Sequence, residues 1–256
     1  EEDLDWQPCG TCEWAIDSSN TLIVRPANGA ESGRLDDWVT DSSPWAGSAI
    51  VAARFEELVS APTCYAMFRN CSSLETIDFA GLDVSGAADA SYMFAGCDSL
   101  KSLDLSDLDL QNVSSKSYMF VSCKFGEITL GSHFGSTESV ELAGSGEYWL
   151  SSVDGIGYEG QNLPIGEAAT YTNIPSGKRN QVYRCGTCEW VIDDNRALTV
   201  RPANGQGSGE LDYYESPWAK MQIVSASFEG NVKAHTTRGM FYACSSLESV
   251  DLSGLD

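Results

Sequence analysis

The tetrad Cys-Gly-Thr-Cys occurs twice, at Cys9 to Cys12 and at Cys185 to Cys188. Two cysteines separated by two residues serve as a redox dithiol, as half of a zinc site, or as a local disulfide. Dithiol catalysis wants the first cysteine at a helix N-terminus, where the dipole lowers its pKa. Here the motif runs straight into Glu13-Trp14-Ala15-Ile16, which alternates as a strand does. Zinc needs two further ligands per motif, and the only two histidines, His133 and His235, are not equivalently placed. The expectation is structural: disulfides Cys9–Cys12 and Cys185–Cys188, or thiol pairs at a strand start, with no catalytic residue and no metal centre.

Carboxylates come next. Asp78, Asp104 and Asp251 share one position of a repeat, with Asp83 and Asp109 a few residues on. On the outward side of a strand row they form a binding face. They also present the oxygen ligands calcium takes, although no DxDxDG loop accompanies them and repeated acids on an open face are ordinarily only solvated. Cys71, Cys97, Cys123 and Cys244 share another position, beside Met-Phe, and read as buried thiols of a narrow core. Cys64 has Thr237 as its counterpart and stands apart as a lone thiol. Trp14 and Trp45 recur as Trp190 and Trp218 and read as core anchors, whereas Trp6, Trp38 and Trp149 have no counterpart and suit stacking on sugars. The chain carries no GxSxG, HExxH or P-loop, so no enzymatic activity is expected.

The 256 residues carry 15 basic and 37 acidic side chains, a formal net charge of -22. That charge repels phosphate backbones and anionic headgroups, so nucleic acid and acidic membrane are poor partners. No run of about 18 apolar residues is present to span a bilayer. The opening Glu1-Glu2-Asp3 does not resemble a signal peptide, and any targeting segment is expected to have been removed.

The elements that position these residues repeat on two scales. Residues 9–36 and 185–212 are identical at 19 of 28 positions, at an offset of 176. After a three-residue deletion the match resumes, pairing Ser43-Pro44-Trp45 with Ser216-Pro217-Trp218 and Met67-Phe68 with Met240-Phe241. Inside the first copy Met67-Phe68, Met93-Phe94 and Met119-Phe120 are spaced by 26 residues, within the leucine-rich-repeat range. Each unit carries a strand line such as Leu100-x-x-Leu103-Asp104-Leu105, preceded by a segment such as Ala87 to Gly96 that reads as a helical turn or short helix. The last repeat stops at Asp256, inside the array, as expected for a piece of a longer protein.

The predicted class is α/β: a short leucine-rich-repeat solenoid capped by a β-rich N-terminal head, the module duplicated and its second copy truncated. The expected divisions are the head at 1–60, repeats at 61–135, a C-terminal β cap at 136–174, a linker at 175–183 and the second module at 184–256. A hairpin is expected from Trp14/Ile16 and Leu22/Val24, and a strand with Val51, Ala53 and Phe55 inward.

The repeats MFRNCSSLETIDFAGLD, MFAGCDSLKSLDLSDLD and MFYACSSLESVDLSGLD resemble those of the BspA-like leucine-rich-repeat bacterial surface proteins. The family often has long arrays, and the first module here has three units, the last degenerate. The resemblance implies an extracellular, cell-surface or secreted protein that binds a protein ligand, such as a host extracellular or mucosal protein. The alternatives are a structural spacer projecting other domains and a carbohydrate-binding module. The resemblance brings no cofactor, calcium staying open through the aspartates. Self-association through the uncapped C-terminal repeat is a further expectation.

Overall fold

The computed structural model describes residues 3–38, 42–135, 140, 142, 147–158, 163–164, 166–175, 178–213 and 216–256. The chain forms two compact units, Glu1–Leu142 with Gly160–Tyr171, and Ala143–Glu159 with Thr172–Asp256.

The first unit contains β1 (Gln7–Cys9), β2 (Cys12–Ile16), β3 (Thr21–Pro26), β4 (Ser32–Arg34), β5 (Ala52–Phe55), β6 (Leu58–Ser60), β7 (Thr76–Asp78), β8 (Leu82–Asp83), β9 (Ser102–Leu105) and β10 (Glu127–Leu130). The expected hairpin is β2 with β3, antiparallel, with Trp14 opposite Val24. Strand β3 then pairs in parallel with β5, and β5 with β7, aligning Leu22, Ala53 and Ile77 in one row and Ile23, Arg54 and Asp78 in the next. Farther along, β9 and β10 pair in parallel, Asp104 beside Thr129. A second parallel row, β4, β6 and β8, aligns Gly33, Val59 and Leu82. Thus β3 is itself the first rung of the solenoid, and the β1–β2 hairpin closes its end. Alternation decides which side is buried: Leu103 and Leu105 face in and Asp104 out, as Ala53 and Phe55 face in while Arg54 does not.

The α component of the prediction is overturned. Among the described residues there is no α-helix, and the Met-Phe segments are chains of tight turns. The physical reason lies in where the backbone N–H groups go. Those of Cys64, Ala66, Phe68 and Asn70 donate to the carbonyls of Asp89, Ser91, Met93 and Ala95 on the next rung, at 2.7–2.9 Å. Those of Ala90, Tyr92, Phe94 and Gly96 do the same to Ser115, Ser117, Met119 and Val121. A helix would satisfy these donors internally; here every second one is spent on the neighbouring rung. The alternate residues close i to i-3 turns, Met67 to Cys64 and Cys71 to Phe68, which demand left-handed backbone at Ala66 (φ 50°) and Asn70 (φ 60°). The same two positions recur at φ 58° in Tyr92 and 76° in Gly96, at 57° in Tyr118 and 65° in Ser122, and at 69° in Gly239 and 55° in Ala243. Inside the ladder the rings of Phe68, Phe94 and Phe120 stack at 5.8 Å intervals.

The second unit contains β11 (Glu147–Ser151), β12 (Gly157–Tyr158), the end of β13 (Ala169–Pro175), β14 (Val182–Cys185), β15 (Cys188–Ile192), β16 (Ala197–Pro202), β17 (Ser208–Leu211), β18 (Ser225–Phe228), β19 (Asn231–Ala234) and β20 (Ser249–Asp251). It repeats the first pattern: β14–β15–β16 antiparallel, then β16, β18 and β20 parallel, with β17 beside β19. The linker expected over 175–183 gives way at its end, because Tyr183 is buried in β14 with its ring stacked 4.4 Å from that of Trp190. Of the expected C-terminal cap, 136–139, 141, 143–146, 159–162 and 165 lie outside the described residues, as do 176–177 of the linker.

Rung-to-rung spacing leaves no room for a side chain at Gly81 (φ 85°), where a Cβ would overlap the Glu57 carbonyl oxygen of the preceding rung; Gly86 meets nothing within 4 Å. Gly81→Ala is therefore expected to lower the unfolding free energy by roughly 2 kcal/mol or more and Gly86→Ala to leave it within about 0.5 kcal/mol. Urea titration of the two variants checks the difference.

Candidate functional site

Both Cys-Gly-Thr-Cys tetrads form the two-residue turn of a hairpin, with Cys9 opposite Cys12 and Cys185 opposite Cys188. Gly10 (φ 65°) has no room for a Cβ beneath the Arg34 carbonyl. Thr11 donates its amide to Arg34 O and accepts the Arg34 amide on Oγ1, both at 2.8 Å. Cys12 Sγ lies against Gly33, where a Cβ would come within 2.6 Å of the sulfur. The second copy repeats each contact: Thr187 exchanges the same pair of bonds with Glu210, and Cys188 Sγ lies against Gly209. The tetrad is thus a clasp joining the end hairpin to the second strand row. All four cysteines are buried.

The repeat-position cysteines are also buried or nearly so, and each thiol donates to a main-chain carbonyl of the preceding rung. Cys97 Sγ reaches Phe68 O at 3.1 Å and Cys123 Sγ reaches Phe94 O at 3.0 Å, while Cys71 and Cys244 reach Trp45 O and Trp218 O at 3.7 and 3.4 Å. Cys64, the lone thiol, is fully buried. Burial is the leading cause that pushes Cys12 and Cys188 up to about 11 and Cys64 and Cys123 to about 12, and it raises Cys9, Cys71, Cys97 and Cys244 as well. Thiols held in this form are poor nucleophiles.

Asp78, Asp104 and Asp251 are exposed on the strand rows, as expected, yet they do not form an unbroken carboxylate face. Asp78 lies beside Arg54, Asp104 beside Thr129, and Asp251 beside Ser227. Each turns back to accept the amide two residues on, from Ala80, Ser106 and Ser253, all at 2.9 Å. The Ser253 amide holds Asp251 below the usual carboxylate range. Among the described residues no three His, Cys, Asp or Glu side chains converge as ligands of one metal ion.

The tryptophans divide differently from the expectation. Trp45, Trp190 and Trp218 are buried, and the pairs Trp14–Trp45 and Trp190–Trp218 meet edge to face at 5.9 and 6.0 Å. Trp38 and Trp149 are buried too, which removes the stacking surface a sugar would need there. Tyr213 packs on Trp218 as Trp38 packs on Trp45, so Trp38 does have a counterpart. Trp6 lies under the Arg25 guanidinium, 3.6 Å from its ring centre.

A surface feature that motif reading passed over lies on the turn side of the first unit. The rings of Tyr65, Tyr92 and Tyr118 follow one another at 6.1 and 5.3 Å, and the Arg69 guanidinium sits 5.3 Å from the Tyr92 centroid. The signal was present: Ser-Tyr-Met-Phe stands at 91–94 and again, 26 residues on, at 117–120.

Residues 59–133 match the model of a family described as a Mycoplasma protein of unknown function, DUF285. That span runs from β6 past β10 and takes in the turn ladder. Among solved structures, the chain aligns with a leucine rich cell surface protein from Faecalibacterium prausnitzii, at 11% identity and a TM-score of 0.24, covering 99% of this chain and 78% of that one. No curated protein matches.

The thiols make stability pH-dependent. The folded state binds the thiol proton more tightly than the unfolded chain, whose thiols titrate near 8.5. Their contribution is complete below that pH and is lost as pH rises towards the folded values of about 11 to 12. The melting temperature is expected to fall steadily above about pH 8.5, and native iodoacetamide labelling at pH 8 to be far slower than labelling in urea. A flat profile with fast native labelling would contradict the burial argument.

Proposed function

We propose that the chain is a non-enzymatic, protein-binding module of an extracellular bacterial surface protein, adhesin-like in action. The observation that carries this reading is the division of labour between positions of the repeat. The cysteine thiols are turned into the core, where burial raises their pKa, while the outward positions hold rows of side chains, Arg54 with Asp78 and Tyr92 with Tyr118, spaced by the rungs. Stacked repeats offer extended surfaces of this kind to macromolecules rather than a closed pocket to a small substrate. The repeat resemblance to BspA-like surface proteins points the same way. A structural spacer is the second reading, favoured by strand-row aspartates whose oxygens are engaged by their own backbone.

Pull-down with the immobilised chain against host extracellular-matrix and mucosal proteins, with and without calcium, separates the two. A saturable partner is expected, and dependence on calcium would bring the aspartates into its binding. Folded chain that captures nothing would leave the spacer. Capture of the chain by itself is scored separately, as self-association and not as ligand binding.

A further inference from the structure

The tyrosines of the turn side are held where a bulky residue is costly. Tyr92 and Tyr118 sit at φ 58° and 57°, a left-handed backbone that β-carbons resist by roughly 1 kcal/mol or more. The same turn position is filled by Ala66 in the first repeat and by Gly239 in the second unit, so the fold does not require an aromatic ring there. The rings are also outside the core: the Phe68, Phe94 and Phe120 stack fills that.

What the rings accept is visible within the chain. Arg69 places its guanidinium on Tyr92, and in the second unit Lys220 places its ammonium 5.8 Å from the centre of Tyr242. The ring column in the first unit runs from Tyr65 through Tyr92, against which the Arg69 cation sits, to Tyr118, which is 44% exposed. Ala95 stands one repeat beyond Arg69 and supplies no second cation. Around this platform lies a chain of net charge -22, whose field draws cationic groups in and turns anionic ones away.

We propose that the Tyr92–Tyr118 column is the docking point for an arginine- or lysine-bearing segment of a protein partner, its cation seated on the Tyr118 ring. The proposal rests on the protein-binding reading and gives it a location on the turn side, away from the aspartates of the strand rows. Tyrosine and arginine are also each enriched where interfaces concentrate their energy.

The test uses the whole chain and a capped peptide, Gly-Arg-Gly-Arg-Gly, with a matched peptide in which citrulline replaces both arginines. Affinities are read by calorimetry for the chain, for Tyr118→Asn, which keeps a residue tolerant of left-handed backbone, for Tyr118→Phe, and for Asp104→Asn on the strand row. The arginine peptide is expected to bind the chain, Tyr118→Phe and Asp104→Asn alike. Tyr118→Asn should bind roughly threefold to thirtyfold more weakly, the range of one cation–π contact. The citrulline peptide should bind weakly throughout. Equal binding of the two peptides, or no loss in a folded Tyr118→Asn, would overturn the proposal. If the partner captured from host proteins is retained by Tyr118→Asn and lost by Asp104→Asn, the protein-binding reading stands and this location falls.

Discussion

The backbone ladder of the turn segments dictates where every other group in this fold can stand. A 26-residue repeat must return the chain to the same place one rung on, and it does so with strand rows plus a segment that spends every second amide on its neighbour. That choice forces left-handed residues at two fixed positions of each repeat, one before Met and two after Phe. It also fixes the narrow interior, into which Met, Phe and Cys project. The Cys thiol follows from the same geometry: small enough to be enclosed, and a weak donor able to reach the carbonyl that the preceding rung leaves facing inward.

The duplicated tetrad performs the complementary task at the solenoid's end. An end rung exposes unpaired backbone, and the hairpin of β1 and β2 covers it while the Gly-Thr turn grips the second strand row. Gly10, Thr11 and Cys12 each have a steric or hydrogen-bonding part in that grip. That grip accounts for the tetrad's retention in both copies, and the burial that raises the pKa of its thiols disfavours the thiolate that dithiol exchange needs.

Period and alternation were legible in the sequence because they are local. The hairpin of Trp14 and Leu22, the inward Ala53 and Phe55, and the outward Asp104 all follow from period two. The turn ladder was not, since Tyr92, Met93, Phe94 and Cys97 fit one side of a helix as well as they fit successive turns. Only the long-range bonds between rungs decide between them, and those have no signature in a single repeat. The tyrosine column was hidden for a related reason: its members matter through stacking across rungs. Trp38 and Tyr213 were similarly missed as equivalents because the deletion shifts the register between them.

Surface and interior are thus divided by repeat position, with reactive groups inside and rows of aromatic and charged groups outside, and the division holds only if the turn segments are a ladder. Native-state hydrogen exchange at the amides of Ala66, Phe68, Asn70, Tyr92, Phe94 and Gly96 tests this most directly. Bonded between rungs, these amides should exchange only through unfolding of the unit, as slowly as those of β5 and β9. Exchange at the rate of fraying surface turns, while the strand amides stayed protected, would contradict the account.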